Sequence, residues 1–181
     1  TLPQRVLKTP CNQDLVSQVE AAADIDPASV DPMLLKQYQS IVGALMYCST
    51  NTRPDITYAT GMLCRVMSRP TPELLVSAQR VVAYLGHTRD LGLHYAASGT
   101  GLKGLSDANW ATKHSTTGYT FLFRSAAVSW ASKKQKSIAL SSCEAEIMAA
   151  SDAAKEAVYM DRFVTELGFG SGRPVELAVD N

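Results

Sequence analysis

Apolar positions recur along this chain at two periods, and the change between them falls near Gly92. From Met33 to Gly86 the spacing is three and four residues, the mark of helices with one buried face. Leu34, Leu35, Tyr38, Ile41, Val42, Leu45 and Met46 form a first stripe. Pro54 suits the first turn of a second helix, where its missing N–H costs nothing, and Ile56, Ala59, Met62, Leu63 and Val66 repeat the spacing. A third helix is expected from Thr71-Pro72, carrying Leu74, Leu75, Ala78, Val81, Val82 and Leu85 before Gly86. Short connections favour antiparallel neighbours, so the spacing predicts a small helical bundle.

Beyond Gly92 the pattern predicts strands. Leu91–Tyr95 and Leu102–Ser106 flank Gly99-Thr-Gly101, and Gly118–Phe123 and Ala127–Ala131 flank a turn at Arg124–Ala126. A long helix is expected from about Ser142 to Leu167, closed by Gly168, with a last strand at Val175–Val179. Strands, one long helix and then another strand imply an α/β unit: a mixed sheet with a crossover helix. Residues 1–32 carry Pro3, Pro10, Pro27 and Pro32 and five acids, and read as a connector with one short helix near Leu15–Ala23. The expected division is a connector over 1–32, helices over 33–95 and the sheet unit over 96–181.

Composition narrows the possibilities. The 181 residues can form one large domain or two small ones, and an apolar fraction of 46% is ordinary for a globular chain. No apolar run approaches the roughly 20 residues that span a bilayer, and Thr1 to Cys11 lacks the apolar core of a secretory signal, so neither membrane nor secretion is expected. Cys11, Cys48, Cys64 and Cys143 are too scattered for a zinc site or redox pair, and read as reduced, partly buried thiols inside a cell. Net charge is zero, with eight charges of each sign through residue 100 and nine of each after it. Nucleic-acid binders usually carry a basic excess, so any such binding must be local or shared with other parts of a longer chain.

Several segments resemble the C-terminal part of copia-type retrotransposon Pol polyproteins. Tyr38-Gln-Ser-Ile-Val-Gly-Ala-Leu-Met-Tyr47, Thr52-Arg-Pro-Asp-Ile-Thr-Tyr-Ala59 and Tyr84–Tyr95 are similar to the stretch after the polymerase palm. Ser106-Asp-Ala-Asn-Trp-Ala111, Ser115-Thr-Thr-Gly-Tyr119, Ser129-Trp-Ala-Ser-Lys-Lys-Gln135 and Leu140-Ser-Ser-Cys-Glu-Ala-Glu146 are similar to that family's ribonuclease H, and Val179-Asp-Asn181 to its third acidic motif. The resemblance covers roughly residues 36–181, with the motifs in the family's order. It implies the thumb and connection of a reverse transcriptase for the helical half and a ribonuclease H-like fold for the rest. The implied activity is metal-dependent hydrolysis of the RNA strand of RNA–DNA hybrids. The implied setting is the cytoplasm, in a virus-like particle, or the nucleus, with the remainder of the polyprotein as partner.

The sequence departs from the family in two places. Asn109 stands where a second Asp is common. The sequence also ends at Asn181, so a C-terminally incomplete ribonuclease H domain is expected, without the fourth acid and later helices. The palm aspartates are not in this sequence, so no polymerisation is implied. The alternative to the enzyme is a truncated, inactive remnant that acts at most as a nucleic-acid or protein interaction module, and the chain alone is expected to cleave little hybrid.

Cleaving a phosphodiester at neutral pH requires an activated water and neutralised phosphate charge. Two divalent cations about 4 Å apart, held by clustered carboxylates, meet both needs. Oxygen ligands suit Mg²⁺ or Mn²⁺. The resemblance nominates Asp107, Glu146 and Asp180 as catalytic, metal-holding residues. Helical geometry separates Glu146 from its neighbour Glu144. With Ala149 at zero and about 100° per residue, Glu146 lies near +60°, flanking the face of Ala145, Ala149, Ala153, Met160, Phe163, Val164 and Leu167. Glu144 lies near −140°, and Ser141-x-x-Glu144 fits a capping box, so Ser141 and Glu144 read as a structural cap. Glu156 is about 15 Å further along the helix and Asp152 a turn and a half away; both read as structural or solvated. Lys133, Lys134 and Lys136 form a basic cluster suited to backbone phosphates of nucleic acid. His87, His94 and His114 have no spacing that suggests a metal or dyad.

Overall fold

The computed structural model describes residues 7–96, 101–111 and 114–179, and the chain divides into two units, Thr1–Gly92 and Leu93–Asn181.

The first unit is helical: α1 (Leu15–Ala22), α2 (Pro32–Asn51), α3 (Thr57–Cys64) and α4 (Pro72–His87). Local chemistry sets where the helices begin. Asp31 accepts hydrogen bonds from the N–H groups of Met33 and Leu34 at 3.3 and 3.2 Å, and Thr71 from that of Leu74 at 3.3 Å. Both caps precede a proline in the first turn, which pre-sets φ and lacks an N–H that would go unpaired there. Tyr38, Val42 and Leu45 of α2 are buried with Ala59, Met62 and Leu63 of α3 and Leu74, Ala78 and Val81 of α4. The Tyr38 hydroxyl donates to the Leu63 carbonyl at 2.8 Å, which satisfies the polar end of a fully buried ring.

Two expectations change here. The stretch 1–32 is more than a connector, because Leu15, Val19 and Ala22 on one face of α1 are buried in the same core. Prolines and acids mark the ends of that segment, while its apolar spacing decides its burial. The second expected helix also starts differently, with a tight turn at Pro54–Ile56 before α3. There Arg53 grips Asp55 through Nε and Nη2 at 2.9 and 2.7 Å and bonds the Thr88 carbonyl and hydroxyl at 3.1 and 2.6 Å. One guanidinium thus ties the start of α3 to the end of α4.

The second unit is a four-stranded mixed sheet crossed by one long helix. Its strands are β1 (Lys103–Asn109), β2 (Thr116–Phe123), β3 (Ala126–Lys134) and β4 (Glu176–Val179), in the order β3-β2-β1-β4. The first three pair antiparallel, and β4 runs parallel to β1 with Val179 opposite Ser106. The helix α5 (Ser142–Glu166) makes the crossover from β3 to β4. Arg124 and Ser125 turn the β2–β3 hairpin at φ 51° and 72°, the left-handed geometry that matches strand twist.

Ala145, Ala149 and Ala153 are fully buried, and their small side chains let α5 approach the sheet. Gly104 on β1 makes room for its strand neighbours, since a Cβ there would stand 2.6 Å from the Phe121 ring and 2.8 Å from Leu177. Two further expectations fail. Leu91–Tyr95 is not a strand; Ala96 donates to the Arg124 carbonyl and the Tyr95 hydroxyl to that of Ala127 at the hairpin tip. Phe163 and Leu167, placed on the helix's apolar face, are 46% and 56% exposed. Met160 and Val164 beside them stay buried, so the buried face of the helix is narrower than its apolar face, and Phe163 stacks on Tyr159 with centroids 6.3 Å apart.

Candidate active site at the ends of β1 and α5

Asp107 lies near the end of β1, where alternate residues face opposite ways. Gly104 and Ser106 are buried on the helix side, and Asp107 is exposed on the other. Glu146 comes from the second turn of α5 and is half-buried. Its Oε1 accepts a hydrogen bond from the N–H of Ala108 at 3.3 Å, so this carboxylate reaches the backbone of the residue next to Asp107. The parallel register of β4 brings Val179 opposite Ser106, the residue before Asp107. Asp180, the third acid nominated from sequence, lies outside the described residues.

These carboxylates are hard oxygen donors, the ligand type that Mg²⁺ and Mn²⁺ prefer. Among the described residues no group of three His, Cys, Asp or Glu side chains converges. The donor set fits a divalent cation in kind, with Asp107 and Glu146 the two described contributors.

The remaining acids of α5 have other occupations. Ser141 Oγ accepts from the Glu144 N–H at 3.1 Å, and the Glu144 carboxylate accepts from the Leu140 N–H at 2.7 Å. The carboxylate therefore reaches one residue beyond the cap's own N–H, which is where the extended backbone at Ser141 (φ −149°, ψ 164°) aims the preceding amide. Glu156 accepts from Ser129 Oγ on β3 at 2.6 Å, and Asp152 pairs with Lys155 at 2.9 Å. Both are structural contacts.

Lys133, Lys134 and Lys136 line an open groove of about 740 Å³ together with Tyr119, Ile147 and Met148. The last two follow Glu146 on α5, but neither Glu146 nor Asp107 lines the groove. Lys133 Nζ sits 5.5 Å from the centre of the Tyr119 ring and 3.4 Å from its hydroxyl. His87 is structural, accepting from the Leu7 N–H at 3.2 Å. All four cysteines are free thiols, and Cys143 is exposed rather than partly buried.

One residue of the site was not singled out by its sequence. Gln135 is 6% exposed, and its Nε2 donates both to Thr117 Oγ1 at 3.1 Å and to the Ala145 carbonyl at 2.9 Å. The sole signal for it was its place at the end of the Ser129–Gln135 motif.

No protein-family model matches the chain. It is 45% identical over 128 residues to the secreted RxLR effector protein 161 of Plasmopara viticola, an alignment that covers 68% of this chain and 90% of that protein. It is 37% identical over 166 residues, 88% of its length, to the retrovirus-related Pol polyprotein from transposon TNT 1-94 of Nicotiana tabacum. Against the retrovirus-related Pol polyprotein from transposon RE1 of Arabidopsis thaliana it is 37% identical over 150 residues, 80% of its length. The chain spans about a tenth of these two polyproteins, 12% and 10%.

Proposed function

Since this chain belongs to the retrovirus-related Pol polyproteins of transposons, copia-type elements among them, we propose that its second unit is a ribonuclease H segment that hydrolyses the RNA strand of RNA–DNA hybrids. The observation that carries this reading is the reach of Glu146 to the Ala108 amide, beside Asp107. The mixed sheet with its crossover helix supports a ribonuclease H-like fold. In the same reading the helical unit is the end of the reverse transcriptase, its thumb and connection, and the rest of the polyprotein completes the nucleic-acid channel.

Asp107, Glu146 and Asp180 would hold Mg²⁺ or Mn²⁺, which when bound would supply an activated water and neutralise charge at the scissile phosphate. Glu146 is oriented by the Ala108 N–H. Asp107 offers its carboxylate from the exposed side of the strand end. Lys133, Lys134 and Lys136 contact the backbone phosphates of the hybrid along the groove, and Lys133 is steadied for this by Tyr119. The 2′-hydroxyls distinguish the RNA strand from DNA.

Calorimetric titration of Mn²⁺ tests the assignment. Asp107→Asn is expected to weaken binding by about tenfold or more, the scale on which changes around metal ligands act. Incubation with labelled hybrid then reads the reaction, and any cleavage is expected to vanish in Glu146→Gln. Equal Mn²⁺ affinity in wild type and Asp107→Asn overturns the site and leaves the inactive interaction module as the better reading.

A further inference from the structure

We infer that Gln135 is a positioning residue that sets where Glu146 stands over the end of β1. The inference rests on the metal-site reading above and adds a residue to which that reading gives no part.

Gln135 follows β3 directly, and its own N–H donates to the Ser115 carbonyl at 2.8 Å, which fixes its backbone against the start of β2. Its side chain turns inward and is buried. A buried amide is costly unless bonded, and here both hydrogens of one NH₂ group are used. One goes to Thr117 Oγ1 on β2, itself 1% exposed, and the other to the Ala145 carbonyl in the first turn of α5. The side chain thus spans the gap between sheet and helix.

The carbonyl it holds belongs to the residue immediately before Glu146. Ala145, Ala149 and Ala153 present little relief on the packed face of α5. A flat alanine face lets a helix slide along a sheet with small change in packing, because few side chains interlock. Gln135 adds a directional bond at the first turn, ahead of the Glu156 bond and the buried Met160 and Val164 further along. Glu146 must meet the Ala108 N–H at 3.3 Å from the opposite element, and a shift of about 1 Å at a site is enough to impair its geometry.

Gln135→Met keeps the shape and removes both donors. Gln135→Asn keeps the amide but is one methylene too short to reach both acceptors, and serves if the first variant folds poorly. Two measurements on the full chain carry the test, with thermal melting as the check on folding. The first, made without metal, is hydrogen exchange at the Ala108 amide, which Glu146 covers. It is expected to speed about tenfold in a Gln135 variant that still melts cooperatively, while amides in the middle of β2 stay protected. The second is Mn²⁺ affinity, expected to fall about tenfold, the scale of changes that misorient a ligand. Unchanged Ala108 exchange and Mn²⁺ affinity within twofold of wild type, in a folded variant, overturn the inference. If wild type itself binds no Mn²⁺, the metal-site reading fails, and Ala108 exchange alone decides whether Gln135 positions Glu146.

Discussion

Single residues settle several questions that patterns leave open. Asp55 is held by the Arg53 guanidinium and by the Tyr84 hydroxyl, which donates to it at 2.9 Å. Burial pushes the Asp55 carboxyl up from its ordinary 3.8, but the bonds from Arg53 and Tyr84 and the Arg53 charge outweigh that and hold it below. A carboxyl depressed in the folded state contributes stability that is fully present above its unfolded pKa and is lost as pH falls through the folded one. Asp55→Asn is therefore expected to lower stability by about 2 kcal/mol at pH 7, the scale of hydrogen bonds to charged groups. The gap to wild type should close as pH drops below about 3.8. Urea unfolding at pH 7 and pH 3 reads the difference; a gap that persists at pH 3 argues against the ion pair as its source. The Thr52–Ala59 segment that carries the family resemblance in the helical half is thus also the anchor of its fold. Its motif was legible in the sequence, but not that Thr88 completes it.

At the scale of elements, α5 does two jobs from its first two turns. Ser141 and Glu144 stop fraying at its N-terminus, and Glu146 crosses to β1. Removing the cap with Ser141→Ala is expected to cost about 1 kcal/mol. Because Gln135 still holds the Ala145 carbonyl, Mn²⁺ affinity should change by less than threefold. Denaturant melts beside Mn²⁺ titration of the same variant test this, and a tenfold loss of affinity without unfolding would mean that the cap, not Gln135, governs the position of Glu146. Helical periodicity was enough to tell Glu144 from Glu146, since 200° of rotation separates them. It did not distinguish Phe163 from Met160 and Val164, which are buried, because a wheel gives the apolar face but not how much of it the sheet covers.

For the whole molecule, a net charge of zero meets an incomplete apolar cover. Tyr159, Phe163, Leu167 and Phe169 are each about half exposed, as are Leu105 and Val179 in the sheet. Balanced charge gives no repulsion to offset attraction between such surfaces, and contiguous exposed apolar patches promote association. Phe163→Lys is expected to lower self-association at neutral pH with little loss of stability, because Phe163 contributes little to the core. Light scattering over a concentration series checks this; unchanged scattering with an unchanged melt shows that the patch is not what drives association. Among the described residues no helix is long and apolar enough to cross a membrane.

The sequence by itself determined the period change near Gly92, the helices of the first half, the turn near Arg124–Ala126, the crossover helix and the family. Each follows from interactions between residues close in the chain, or from motifs read in order. It also nominated Asp107 and Glu146, through resemblance and a rotation angle. Tertiary structure alone brought Glu146 to the Ala108 amide, buried α1 in the helical core, and set Gln135 between Thr117 and Ala145. It also exposed Phe163. These depend on how much of a helix's apolar face a sheet covers and on which strand ends adjoin. Such distances arise between residues 10 to 80 positions apart, where local propensity and periodicity carry no information.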